Sequence, residues 1–137
     1  GKFLVSEAGY FITKVNVLKQ AGEITFAGVD TGLNHFIRPM FYGAYHEIDN
    51  ISNPSAEPHI YNVVGNICET DTFAENRSLP EIREGDFLVF KNAGAYGFEM
   101  ASNYNSRYRP AEVLFVNGVS RLIRKRETFE DLLSNQL

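Results

Sequence analysis

With 137 residues and a formal net charge of −4, the chain is long enough for one packed domain and too acidic for the basic face that nucleic-acid binding requires. No apolar run approaches the ~20 residues of a membrane-spanning helix, and the first residues carry no signal-peptide pattern. The aromatic residues are Phe and Tyr without Trp, which favours strands; a single cysteine, Cys68, excludes an internal disulfide and suits a reducing, cytoplasmic setting.

Gly1 to Val5 reads as strand already in progress, with no initiator Met, so the chain is read as a piece of a longer protein. Gly9 to Leu18 alternates, with Phe11, Thr13, Val15 and Val17 on one face. Ala21-Gly22 is a tight turn, and Ile24 to Val29 returns as the second arm of a hairpin. Asn34 to Gly43 contains Pro39, which would interrupt a ladder, so a short helical turn fits near 34–42. In such a turn Arg38 and Tyr42, four apart, share a face. His46 to Ile51 and Ile60 to Ile67 are further strands, separated by a Pro-bearing loop over Asn53 to Pro58. Thr70 to Arg83 is polar, holds Pro80 and reads as a loop; Phe87 to Phe90 is a strand after the Glu84-Gly85-Asp86 turn.

Asn92 to Leu114 is the stretch around which the rest is organised. Gly94, Tyr96 and Gly97 combine close backbone approach with a phenol donor, and a polar Asn-Tyr-Asn-Ser-Arg segment follows. By its residues alone it is an ordinary Gly/Asn-rich loop or a binding loop mounted on strands. Val113–Val116 and Val119–Ile123 flank Asn117-Gly118, the preferred dipeptide of a two-residue hairpin. Thr128 to Asp131 forms a capping box for a short C-terminal helix carrying Phe129, Leu132, Leu133 and Leu137. These elements define one all-β domain over 1–137: an antiparallel, Greek-key-like barrel or sandwich with two short helical pieces.

Cys68-Glu69 sits where an apolar strand meets a polar loop. A free thiol is usually a small buried hydrophobe, but a thiol of ordinary pKa, ~8.5, beside an acid can also donate a proton. Arg38 has the fork geometry that grips a carboxylate in bidentate fashion, and is otherwise a surface arginine. His35, His46, His59 and Cys68 lack a metal-ligand spacing, and the basic run Arg121 to Arg126 reads as a solvated strand face.

Three segments, in order, resemble diaminopimelate decarboxylases, pyridoxal-phosphate (PLP) enzymes of the ornithine/diaminopimelate/arginine decarboxylase group. GAYGFEMASNYNSRYRPAEVL resembles the signature GAYG…SSNYNSRPRPAEVL; Arg38-Pro39-Met40-Phe41-Tyr42 resembles R-P-x-x-Y; Val64 to Asp71 resembles V-x-G-P-x-C-E-S-G-D. In the last, Asn66 stands for Pro, Thr70 for Ser and Asp71 for Gly, with Thr72 in place of the Asp. GKFLV resembles the tail of E-P-G-R-x-[LIV]-V, with Lys2 for the arginine.

The resemblance implies the C-terminal domain of an enzyme converting meso-2,6-diaminopimelate to L-lysine and CO2, the last step of lysine biosynthesis. It implies that Arg38, Tyr42 and Lys2 bind the substrate, Arg38 through a carboxylate. Glu69 would hold the distal amine, with Tyr96 against cofactor and substrate and Gly94 beside the cofactor. Cys68 would help protonate the carbon that loses CO2. It implies a homodimer in which Cys68 and Glu69 reach the partner's site. The lysine that holds PLP lies in an N-terminal (β/α)8 domain, so the isolated chain is expected to be inactive. Two alternatives stand beside this: a related PLP decarboxylase acting on another amino acid or polyamine precursor, and a non-catalytic β-barrel dimerisation module.

Overall fold

The computed structural model describes residues 1–69 and 71–137. Eight strands and three short helices are present among them: α1 (Lys2–Val5), β1 (Phe11–Ala21), β2 (Ile24–Val29), α2 (Arg38–Tyr42), β3 (Ile48–Asn50), β4 (Pro58–Val64), β5 (Thr72–Pro80), β6 (Phe87–Phe90), β7 (Glu112–Val116), β8 (Val119–Arg124) and α3 (Phe129–Leu133).

Six strands form one mixed sheet in the order β3-β6-β1-β2-β4-β5, while β7 and β8 form a separate hairpin. The sheet curls towards closure, and the edges approach where Asn50 Nδ2–H donates to the Glu81 carbonyl at 2.9 Å. Val15, Ala27, Val29, Val63, Phe73, Leu88 and Phe90 alternate into the interior, with Phe36 from the β2–β3 connection. Phe11 stacks on Phe36 at 5.2 Å and Phe73 meets Phe90 at 5.1 Å.

The barrel-like, mostly-strand class agrees with the sequence. One pairing departs from the antiparallel expectation: β2 and β4 run parallel, Ala27 opposite Val63. A parallel join needs a long crossover, and residues Asp30 to Glu57 provide it, carrying α2 and β3.

Two further expectations change. Lys2–Val5 is a helical turn, not a strand, with Phe3 96% exposed. The three-residue apolar run Phe3-Leu4-Val5 has no periodicity to separate the two forms. Thr72–Pro80 is a strand rather than a loop. It lies at the sheet edge, where polar residues face solvent and a proline at the end is tolerated. Asn76, at φ 51, resets its alternation.

Candidate functional site

Pro39 in the first turn and Gly43 at φ 60 after the last make α2 a single well-bounded turn. That turn sets Arg38 and Tyr42 on one side, the guanidinium carbon 5.7 Å from the Tyr42 ring centroid. The same carbon lies 5.5 Å from the Tyr96 ring, so Arg38 is flanked by two phenols. No ion pair engages Arg38 among the described residues. Lys2 sits on α1 close enough to add to the positive field at His46, together with Arg38 and Arg77.

Tyr96 is held at φ 58 and is 47% exposed. A left-handed tyrosine costs roughly 1–2 kcal/mol of backbone strain. The turn around it is tight: a Cβ on Gly97 would stand 2.3 Å from the Ala93 carbonyl. Gly94 packs closely against the N-terminal segment. Its missing Cβ would meet the Val5 carbonyl at 2.0 Å, and Gly9 and Gly94 touch backbone to backbone. The glycine requirement at 94 therefore comes from packing against the N-terminal segment.

A second cluster forms on the loop after β4. Cys68 is exposed, and its thiol lies 3.4 Å from Glu69 Oε2. Tyr104 donates its hydroxyl hydrogen to Glu69 Oε1, which holds the Glu69 carboxyl below the usual range and the Tyr104 phenol above its own. Arg107 Nη2 donates to the Asn66 carbonyl at 3.3 Å. The Asn-Tyr-Asn-Ser-Arg segment thus braces the Cys68 loop. Its own fold is fixed by Asn103, whose Nδ2 donates to Glu127, and by the Arg109–Glu127 ion pair at 2.5 Å.

Asp71 anchors the loop from inside. Its carboxylate accepts from Leu33 N–H at 2.6 Å and Ile67 N–H at 3.0 Å, and burial pushes its pKa up. Thr70, another departure in that motif, lies outside the described residues.

The two clusters, Arg38–Tyr42–Tyr96 and Cys68–Glu69–Tyr104, share no hydrogen bond, ion pair or ring contact among the described residues. Two participants lack a sequence signal. His46 touches Arg38 only through the fold, and Tyr104 finds Glu69 across a loop without periodicity. The donor set around Arg38 (guanidinium, two phenols, an ammonium nearby) suits phosphate or carboxylate, the anionic groups of PLP and an amino acid. Among the described residues no group of acids, histidines and cysteine could hold a metal ion. None of their helices is long and apolar enough to cross a membrane.

Residues 2–94 match the family model described as pyridoxal-dependent decarboxylase, C-terminal sheet domain. A diaminopimelate decarboxylase of Methanothermobacter thermautotrophicus is 51% identical over 99% of this chain and 32% of its own length. The chain therefore spans about a third of the length of the curated relatives it matches. Among solved structures, a diaminopimelate decarboxylase from M. jannaschii in complex with L-lysine superposes with a TM-score of 0.93 at 37% identity, over 100% of this chain and 32% of that one. A lysine/ornithine decarboxylase of Vibrio vulnificus with cadaverine is more distant: TM-score 0.71, 25% identity, 80% of this chain and 30% of the other.

Proposed function

We propose, from the premise that this chain belongs to the pyridoxal-dependent decarboxylases as their C-terminal sheet domain, that the complete protein converts meso-2,6-diaminopimelate to L-lysine and CO2. The observation that carries the substrate is Arg38: a guanidinium without an ion pair among the described residues, set between Tyr42 and Tyr96. Diaminopimelate keeps a second carboxylate at its distal end, and a fork of N–H donors fits it. The greater distance of the lysine/ornithine enzyme favours this reading over a polyamine precursor.

PLP, when bound, supplies the electron sink for the bond that releases CO2. The chain's own residues bind, orient and move a proton. Arg38, with Tyr42 and Lys2, holds a substrate carboxylate. Tyr96 presents its ring and hydroxyl to cofactor and substrate. Glu69, kept ionised by Tyr104, pairs with the distal ammonium. Cys68 gives its thiol proton to the carbon that has lost CO2.

The rest of the site comes from outside this chain. A preceding (β/α)8 domain carries the lysine that holds the cofactor. A homodimer lets Cys68 and Glu69 serve the partner's site, which the lack of contact between the two clusters supports. Val113, Phe115, Val116, Val119 and Leu122 are all exposed on β7 and β8, a surface suited to further polypeptide. The lone free cysteine supports a cytoplasmic location.

The test is a substrate panel on the full-length protein with PLP. CO2 and lysine from meso-diaminopimelate, with little turnover of ornithine, is the expected result. Higher kcat/KM on ornithine would overturn the reading. Residues 1–137 alone are expected to release no CO2.

A further inference from the structure

His46 is a mere 6% exposed, its ring edge-on to Phe36 at 4.6 Å. Its Nδ1 lies 2.8 Å from the Lys91 carbonyl, which can only accept, so Nδ1 carries the hydrogen. Its Nε2 lies 3.4 Å from Arg38 Nε, which can only donate, so Nε2 is bare. The two partners together fix one neutral tautomer.

The Lys91 carbonyl is itself secured. The Lys91 backbone N–H donates to the Glu47 carbonyl at 2.9 Å, and its ammonium bridges Glu47 and Asp49 at 2.9 Å each. A guanidinium has two faces, an Nε corner and an Nη edge. On Arg38 the aromatic groups are Tyr42 and Tyr96, and His46 takes the Nε corner. This leaves the two Nη groups for a bidentate partner and removes the side-on mode that would use Nε.

We propose that His46 is the positioning residue of Arg38: anchored on the Lys91 carbonyl, it occupies Nε and thereby commits the guanidinium to bind the substrate carboxylate end-on through its Nη groups. This rests on the reading of Arg38 as a carboxylate binder. It also makes that grip depend on His46 staying neutral. An imidazolium would set an N–H against the Arg38 N–H and add a charge to a site already facing Arg38 from α2, Lys2 from α1 and Arg77 from β5, with Glu47 and Asp49 already engaged by Lys91. Burial first, then these cations, keep the imidazole pKa below its usual 6.5.

The experiment uses the full-length enzyme with PLP and meso-diaminopimelate. His46→Phe keeps the ring and removes the acceptor; KM is expected to rise about tenfold with kcat within about threefold. His46→Gln returns an oxygen acceptor and is expected to recover most of the loss. In the wild type KM climbs only as the pH falls through the lowered His46 value, on the acid side of the ordinary 6.5, and that limb is absent in His46→Gln. On an Arg38→Ala background, His46→Phe has no further effect.

A KM that rises with Arg38→Ala but not with His46→Phe overturns the positioning role alone. A KM indifferent to Arg38→Ala overturns the carboxylate reading and the proposal with it. Should His46→Phe fail to fold, nitrogen NMR of histidine-labelled wild type and Arg38→Ala gives the answer. A bare Nε2 that shifts when Arg38 is removed supports the proposal; a protonated or unresponsive Nε2 overturns it.

Discussion

The hydroxyl of Tyr104 donates to Glu69, tying a short 3-10 turn of the Asn103–Arg107 segment to the loop that presents Cys68. The bond favours the ionised Glu69 needed to meet an ammonium group. Tyr104→Phe in the full-length enzyme is expected to raise KM for diaminopimelate about threefold, the scale of one exposed polar pair, and to leave kcat within about twofold. Steady-state kinetics decides it: an unchanged KM would mean Glu69 is oriented without Tyr104.

Cys68 has no packing role to lose, since its thiol is exposed. Cys68→Ala should therefore leave thermal stability within about 0.5 kcal/mol. If the thiol is the proton donor, kcat falls by about 10²–10⁴-fold. A drop in kcat accompanied by an equal loss of folded protein would instead assign Cys68 a structural part.

Asp71→Asn replaces a carboxylate that accepts two backbone N–H groups with an amide that has one acceptor oxygen. Leaving one buried N–H unmatched costs about 1–3 kcal/mol, readable as a shift in the urea midpoint. The pH dependence has a definite sign. Burial raises the folded carboxyl above its ordinary 3.8, so the folded state holds the proton more tightly than the unfolded chain. This contribution is fully present below pH 3.8 and is lost as the pH rises through the folded value. Subtracting the Asp71→Asn profile from that of the wild type isolates it; a difference that grows with pH in that window would contradict the burial cause.

Gly94→Ala forces a methyl onto the Val5 carbonyl. The backbone of the N-terminal segment must shift, at a cost of about 1–3 kcal/mol. Calorimetry on the full-length protein should show the loss even without PLP. Destabilisation appearing only with PLP bound would point to a cofactor contact at Gly94 instead.

Much of the fold is local chemistry and so is legible in the sequence. Asn117 and Gly118 adopt φ 51 and 78, the paired positive values that a two-residue hairpin turn requires. The Thr128–Asp131 box caps α3 as its spacing dictates. Ile24–Val29 and Phe87–Phe90 are bounded by turn residues and match their strands. The failures are non-local. β5 exists because an edge beside β4 was available, and α1 leads into a turn whose Ser6 and Gly9 hydrogen-bond to Asn92–Gly94. Arg38 and Tyr42 share a turn, and spacing reveals that. Arg38 and Tyr96 meet only through the tertiary fold, so no periodicity in either segment could have paired them; the family motifs did. His46 belongs to no motif quoted for the family, and its role becomes visible once Lys91 and Arg38 are seen on its two nitrogens.

The parallel pairing of β2 with β4 sets an order of events during folding. The hairpin β1–β2 can close early, because its contacts are near in sequence. The crossover from Asp30 to Glu57 gains nothing until β4 docks on β2, and only then are α2 and His46 pinned. Tyr96 arrives later still in sequence, beyond β6. The guanidinium site thus depends on long-range contacts rather than on the local hairpin. Refolding followed by substrate-analogue binding should lag behind refolding followed by backbone signals.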